Sequence, residues 1–492
     1  MKISELLKTC PGSTLYKNEA DVDVRSIKNN ANLIEEGDIY VALKGSNHDG
    51  NAFKERAAKN GAVAVVSQVF DPRLDLPQII TPDPRLCYSL MSAALHGNPQ
   101  RGLKIIGVVG TNGKTSVSHL IYSALLESGK KAALIGTLGV KTATKTLPSS
   151  LTTPDPWELF SLLSQFLSEG IEVVVMELSA HAIWLKKCAA ISFEILVFTN
   201  CTHDHLDYFS DFTSYRSVKK SAFNGSVRFF VVNCDDPLGR EIYAESPKKT
   251  VSYGIYSPSD VFAVNLEESQ SGIEFVINMF DMVYNVKSRL LGEFNAYNLL
   301  GAAATLFLLG IKPDLAVKAL SMAQTVPGRM ERVATFKGAN IFVDYAHTPD
   351  GLNKSLSFVS STTVGRTFCL FGCGGNRDKQ KRPVMGRIAG DVADLVILTT
   401  DNPRDENPEY IMREIELGLR PVTKNYVKIV DRRGAISFAM GMLRPGDSLL
   451  IAGKGSEDYQ EVSGVRERLS DREEVLSYIS SHGGGQKEND DG

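Results

Sequence analysis

Residues 104–119, KIIGVVGTNGKTSVSH, run from a short apolar stretch through a glycine-rich turn into Lys114, Thr115 and Ser116, which open a predicted helix. That order suits phosphate. Glycines let backbone N–H groups close around phosphate oxygens, and the helix N-terminus adds a favourable dipole. Lys114 is spaced to reach terminal phosphates, and the Thr115 hydroxyl is of the type that ligates Mg²⁺. The common pattern GxxxxGK[ST] requires glycine at position 108, where this chain has Val108; its glycines are Gly107, Gly110 and Gly113.

Other polar clusters also follow apolar runs. IEVVVMELSAH (171–181) ends in Glu177, Ser179 and His181, and ISFEILVFTNCTHDHLDYF (191–209) carries His203, Asp204 and His205. Glu177 and His205 read as Mg²⁺ ligands if their strands neighbour the phosphate loop. The competing reading of Glu177 is a helix-capping or solvated loop carboxylate. The HxH spacing lacks the cysteine or carboxylate set of a zinc site. Lys219, read alone, is a surface lysine on a helix. Asp344, in DYAHTPD, is either a ribose acceptor or a cap, and Arg329, in PGRME, either meets phosphate charge or makes an ordinary ion pair. DNPR (401–404) exposes a guanidinium whose planar fork suits a carboxylate, and GKGSED (453–458) offers Glu457 to an ammonium. GGNRDKQKRP (374–383) is a basic loop, either an anion patch or a solvated surface.

These clusters need elements to carry them. GDIYVAL (37–43) and GAVAVVS (61–67) read as strands around a helix at 53–60, with Ser26 and KGSNHDG (44–50) as polar loops. NPQRGL (98–103) reads as a linker. AALIGTLG (132–139) reads as one strand-like run, VFAVNL and IEFVINM as antiparallel or edge strands, and LLGAAATLFLLGI (299–311) as a buried helix too short to span a bilayer. Polar residues after parallel strands are where open α/β sheets assemble ligand sites. The expected division is 1–98, 99–327 and 328–481, with a disordered tail at 482–492.

A chain of 492 residues is expected to form several domains. Its net charge of -3 gives no reason to expect a nucleic-acid surface, and seven cysteines without a CxxC pair fit a reducing compartment. The N-terminus has no secretory apolar core, so a soluble cytoplasmic protein without an integral membrane segment is expected.

GTNGKTS, the TTP triplet, MELSAH, NCTHDHLDY, GEFNAYN, PGRME, DYAHTP, GCGGNRD, DNPR and GKGSE occur in an order that resembles the ATP-dependent Mur ligases of peptidoglycan synthesis. The N-terminal DVRSI and GDIYVALKGSNHDG extend the resemblance over almost the whole chain. That family uses GxxGxxGK[ST], which accounts for Val108. The resemblance implies an α/β fold of three domains: a small N-terminal α/β domain, a central P-loop ATPase-like domain and a C-terminal Rossmann-like domain. It implies ATP on Gly110, Thr111, Asn112, Gly113, Lys114, Thr115 and Ser116, with Asn295, Asn298, Arg329 and Asp344. It implies Mg²⁺ organised by Thr115, Glu177, His205 and Lys219, the last carrying a CO₂-derived carbamate. UDP-N-acetylmuramoyl-L-alanyl-D-glutamate would lie along Ser26, the 44–48 loop, Thr152, Thr153, Ser179 and Lys187. Arg377, Asp401, Asn402, Pro403, Arg404, Gly453 and Glu457 match a pattern for meso-2,6-diaminopimelate. A lysine-adding member and a folylpolyglutamate synthetase-like ligase are the alternatives. Ala180, Leu185, Lys187 and Ser456 depart from common family residues (serine, glutamine, arginine and histidine).

Overall fold

Strands dense in Val, Ile and Leu, buried on both faces, fit parallel sheets covered by helices, and three such sheets follow one another along the chain. The computed structural model describes all residues except 18–20, 46–47, 150, 205–207, 210 and 483–492. The expected tail beyond His482 and part of the 44–48 loop therefore lie outside the described residues. His482 itself closes the helix Asp471–His482.

The first sheet runs in the order Thr14–Tyr16, Gln78–Ile80, Ala62–Ser67, Asp38–Val41, Ser26–Lys28, parallel except for its first pair. The expected linker at 98–103 is ordered: Pro99–Gly102 forms a 3-10 turn that feeds the strand Lys104–Val109.

That strand lies inside an 11-stranded sheet. Its parallel neighbours are Val173–Leu178 on one side and Ile195–Phe198 on the other. The chain leaves Lys104–Val109 through the helix Lys114–Glu127 and returns beyond Val173–Leu178, at Ala132–Gly136. The carboxyl ends of the central strands therefore open at a switch in strand order, where ligands bind in this class of sheet. AALIGTLG is not one strand. Ala132–Gly136 turns at Thr137-Leu138 and returns antiparallel as Gly139–Thr142. Val261–Ser269, Gly272–Met279 and Met282–Ser288 form the expected antiparallel edge.

Helices Lys114–Glu127 and Glu293–Leu308 cover one face of this sheet. The second carries most of the apolar 299–311 stretch, ending at Leu308, and there Leu300, Ala302, Ala303, Ala304 and Leu306 are fully buried. Each buried leucine contributes about 1.5–3 kcal/mol, and the alanines allow the two helices to approach closely. No helix among the described residues is long and apolar enough to cross a membrane. Pro156–Ser168 and Pro237–Glu245 pack on the opposite face through Leu159, Phe160, Leu163 and Leu238.

The last sheet has the order Glu331–Phe336, Ala339–Asp344, Ser448–Ala452, Thr367–Phe371, Leu395–Leu398, Tyr426–Lys428, parallel after its first hairpin. Its carboxyl ends face those of the central sheet across one cavity of about 1240 Å³.

Candidate functional site

The phosphate loop joins the strand Lys104–Val109 to the helix Lys114–Glu127, with Gly113 at the N-cap in a left-handed conformation, φ 85°. No side chain caps this helix, which leaves first-turn N–H groups for an anion at the positive end of the dipole. A Cβ at Gly110 would sit 1.8 Å from the Thr199 hydroxyl, which itself donates to the Asn112 carbonyl at 2.6 Å. Lys114 Nζ donates to the carbonyls of Gly110 at 3.0 Å and Thr111 at 2.9 Å, and burial pushes its pKa down. Ser116 lines the cavity beside it, as do Asn295 and Asn298. Asn298 Nδ2 donates to Asn295 Oδ1 at 2.8 Å, and Asn295 Nδ2 to the Leu291 carbonyl at 2.8 Å.

Glu177 is 1% exposed and stands opposite Val108 in the parallel register. Its Oε2 accepts from the Thr115 hydroxyl at 2.9 Å and the Thr137 hydroxyl at 3.1 Å, and its Oε1 from the Thr137 N–H at 2.8 Å. The capping or solvated-loop reading is therefore overturned. Thr115 and Glu177 are hard oxygen donors side by side, the donor type Mg²⁺ takes. His205 lies outside the described residues, and among those described no three His, Cys, Asp or Glu side chains form a metal-holding group.

Lys219 is also not the surface residue expected from its neighbours. It is 0% exposed, because the helix Phe212–Ser221 packs Tyr215 and Val218 against Ala180 and Phe209. Its Nζ donates to Thr111 Oγ1 at 2.6 Å and lies 4.1 Å from the Tyr215 ring centroid. Burial pushes its pKa down to about 7. It stands behind Thr111 and does not itself line the cavity.

The C-terminal sheet supplies the facing wall. Arg329 Nη2 donates to Thr115 Oγ1 at 3.1 Å, and its guanidinium lies 4.2 Å from the Tyr345 ring centroid. Its buried Nε has no hydrogen-bond partner among the described residues, so an anion at this point would satisfy it. Asp344 accepts from the Met330 and Ala346 N–H groups and from the Ser355 hydroxyl. Those bonds brace the loop and do not cap a helix, since Thr348 caps Pro349–Thr362, and burial raises the Asp344 pKa against the pull of Arg329. Two further contacts cross the cavity: Asn112 Nδ2 donates to Asp350 Oδ2 at 2.9 Å, and His347 Nε2 lies 3.8 Å from Asp204 Oδ2.

At the far end, loops after Thr367–Phe371, Leu395–Leu398 and Ser448–Ala452 bring Arg377, then Asp401, Asn402 and Arg404, then Gly453 and Glu457 to one wall. Pro403 shapes the turn without lining the cavity. Arg404 is half-buried rather than exposed, and its backbone is left-handed at φ 51°. Its N–H donates to the Glu461 carbonyl at 3.0 Å, and Nη1 to the Gly375 carbonyl at 2.8 Å. Such backbone persists only where surrounding bonds hold it. Asn402 Nδ2 donates to Glu457 Oε2 at 2.9 Å. Burial, and then the nearby Asp401, hold the Glu457 carboxyl above its ordinary range.

Thr152, Thr153, Ser179, Leu185 and Lys187 line the wall beside Glu177. Thr153 Oγ1 donates to the Glu177 carbonyl at 2.8 Å, and Lys187 Nζ pairs with Asp155 at 2.8 Å. Ser179 Oγ caps the helix Ala180–Trp184 by accepting from the Ala182 N–H at 3.1 Å. Ser26 is elsewhere. It opens a strand, is 6% exposed, and donates to Asp38 Oδ1 at 2.5 Å, so the expected polar loop residue is a buried one off the cavity wall.

Residues 108–306 match the Mur ligase middle domain, and residues 328–455 match the Mur ligase glutamate ligase domain. The chain belongs to the Mur ligase family. Curated relatives named UDP-N-acetylmuramoyl-L-alanyl-D-glutamate–2,6-diaminopimelate ligase include one from Geobacillus thermodenitrificans, 36% identical over 94% of this chain and 95% of its own. Another, from Syntrophomonas wolfei, is 37% identical over 96% of this chain and 98% of its own. A solved structure bearing that enzyme name superposes with a TM-score of 0.67, at 31% identity, over 94% of this chain and 97% of its own. The Mycobacterium tuberculosis folylpolyglutamate synthase shares the fold at 19% identity and a TM-score of 0.63, over 75% of this chain and 92% of its own.

In this Mur ligase the sequence reading gave no role to three residues that shape the site. Lys454 is fully buried beneath Glu457, Tyr345 stacks on Arg329, and Thr137 braces Glu177. Lys454 and Tyr345 had a signal in the sequence, each in a polar cluster after an apolar strand, the lysine between two glycines.

Proposed function

We propose that this Mur ligase adds meso-2,6-diaminopimelate to the D-glutamyl γ-carboxylate of UDP-N-acetylmuramoyl-L-alanyl-D-glutamate, with ATP as co-substrate. The observation that carries the reading is one continuous cavity with the phosphate loop at one end and Arg377, Asp401, Asn402, Arg404 and Glu457 at the other. The family resemblance assigns the UDP end to segment 1–98, around Ser26 and the 44–48 loop. The nucleotide falls to 99–327 and the amino acid to 328–481.

A γ-carboxylate oxygen attacks the ATP γ-phosphorus, and the bond to the β–γ bridging oxygen breaks. The products are an acyl phosphate and ADP. The neutral amine of diaminopimelate then attacks the activated carbonyl. Collapse expels phosphate, the amine loses a proton, and an amide remains. Lys114, the loop amides and Arg329 stabilise charge on the transferring phosphoryl group. Thr115 and Glu177, with His205 by resemblance, would hold Mg²⁺, which supplies Lewis-acid stabilisation of the phosphoryl oxygens. The buried, readily deprotonated Lys219 amine suits carbamate formation, in which the neutral amine forms an N–C bond with CO₂ and releases one proton, leaving an anionic oxygen donor.

Diaminopimelate carries a distal carboxylate and ammonium; lysine has no distal carboxylate. Arg404 offers the carboxylate a guanidinium and Glu457 offers the ammonium an acceptor, so lysine leaves a half-buried donor unpaired. The test supplies ATP, Mg²⁺ and the UDP-muramoyl dipeptide with equimolar meso-diaminopimelate and L-lysine, and reads product mass with phosphate release. The diaminopimelate tripeptide is expected to dominate. Preferential lysine incorporation would sink the substrate assignment, and no amide product with either amine would sink the ligase reading.

A further inference from the structure

Lys454 is 0% exposed, an expensive position for a cation unless it is paired and hydrogen-bonded. Its Nζ donates to Asn402 Oδ1 at 3.1 Å and to Glu457 Oε2 at 3.2 Å. Asn402 Nδ2 donates to the same Oε2 at 2.9 Å, so two donors converge on one carboxylate oxygen. Among the described residues the other oxygen, Oε1, has only a long contact from the Tyr345 hydroxyl, at 3.5 Å. Glu457 is thus anchored by one oxygen and offers the other to the cavity it lines.

The charges around this carboxylate come from several elements. Asp401 lies on the loop after Leu395–Leu398 and opposes ionisation. Tyr345 follows the strand Ala339–Asp344, and Tyr459 opens the hairpin Tyr459–Val462. Arg432 on the helix Arg432–Met442 is fully buried and committed to Asp471. Lys454 is therefore the cation in hydrogen-bond contact with Glu457 among the described residues. Without it two buried carboxylates, Asp401 and Glu457, would share the corner, and one would take up a proton.

We propose that Lys454 is a positioning residue for the amino-acid substrate, keeping Glu457 ionised and turned so that Oε1 meets the substrate's distal ammonium. The proposal rests on the diaminopimelate reading above. It acts through Glu457, so its signature is a selective effect on amino-acid use that depends on pH. Binding needs the carboxylate, so kcat/KM falls as pH drops through the Glu457 pKa. Removing the cation raises that pKa and moves the acid limb upward.

The test compares full-length wild type, K454M, K454R, E457Q and K454M/E457Q in steady-state assays from pH 6 to 9. Wild-type turnover of diaminopimelate is the control for the activity itself; its failure would count against the underlying reading and not against Lys454. K454M is expected to raise the KM for diaminopimelate at least tenfold at pH 7, with the KM for ATP within twofold of wild type and the loss shrinking toward pH 9. K454R should keep the wild-type acid limb. In the E457Q background K454M should add less than threefold. Equal losses toward ATP and diaminopimelate, a loss independent of pH, or multiplicative effects in the double variant would overturn the proposal. If K454M does not fold, K454R decides: an acid limb raised despite the retained charge would equally overturn it.

Discussion

At the scale of single residues, burial changes what a side chain can do. A lysine in water is a protonated cation and a poor partner for CO₂ or a metal. Lys219, fully buried behind Thr111, has an amine that desolvation pushes toward the neutral form. Wild-type protein in ¹³C-bicarbonate is expected to show a carbamate carbon resonance that K219M lacks. Activity should fall roughly 10- to 100-fold in K219M, as for loss of groups that support a metal site. Full activity in CO₂-depleted buffer, with no carbamate resonance, would remove the modification from the account. Lys219 also marks a limit of sequence reading. KKSAF gives no sign of burial, because the packing comes from Ala180 and Phe209 on other segments. Glu177 and Lys454 are similar cases. Their types suggest chemistry, but only the parallel register against Val108 and the anchoring bonds to Asn402 decide what they face. The phosphate loop was legible because its chemistry is backbone chemistry and its glycines recur at fixed spacing within one short stretch.

At the scale of elements, the amino-acid corner depends on two strand ends held at a fixed separation. Arg432 does this from beneath. It donates to the Thr400 carbonyl and the Ala452 carbonyl, each at 3.1 Å, and makes two bonds of 2.7 Å to Asp471. Thr400 precedes Asp401 and Ala452 precedes Gly453, so one guanidinium ties together the origins of both loops proposed to hold the amino acid. R432A leaves Asp471 buried without its cation and should destabilise the C-terminal segment by about 3–5 kcal/mol. Urea unfolding followed by tryptophan-independent far-UV dichroism would measure it. A midpoint within error of wild type would mean that water or neighbouring donors replace the guanidinium. The strands themselves were readable as apolar runs ending in polar clusters. The tie between them was not, since RRGAISF looks like an ordinary amphipathic helix start, and nothing local shows that Arg432 points inward while Arg433 is exposed.

At the scale of the whole molecule, acyl phosphate chemistry requires the central and C-terminal sheets to meet and exclude water. Arg329 to Thr115, Asn112 to Asp350 and His347 to Asp204 are polar contacts at the site, of the kind found in interfaces that open and close. A second brace lies away from the cavity. Gln270, in the turn between Val261–Ser269 and Gly272–Met279, reaches from the antiparallel edge of the central sheet onto the C-terminal sheet. Its Nε2 donates to the Thr362 carbonyl at 2.9 Å and Ser448 Oγ at 3.2 Å, its Oε1 accepts from Asn340, and its carbonyl accepts from Arg332 at 3.1 Å. A side chain with that many partners at a hairpin tip holds one arrangement of the two sheets without touching substrate. Q270A keeps the backbone bond to Arg332 and loses the rest, at about 0.5–1.5 kcal/mol per net hydrogen bond. The closed population should fall, so kcat/KM for ATP and for the amino acid should drop together by roughly tenfold, the factor that 1.4 kcal/mol represents. Small-angle scattering of Q270A without nucleotide should give a larger radius of gyration than wild type, with a non-hydrolysable ATP analogue narrowing the difference. Unchanged scattering with unchanged kinetics would mean that the hairpin merely rests on the C-terminal sheet, and that closure is governed by Arg329 and Asp350 at the site itself.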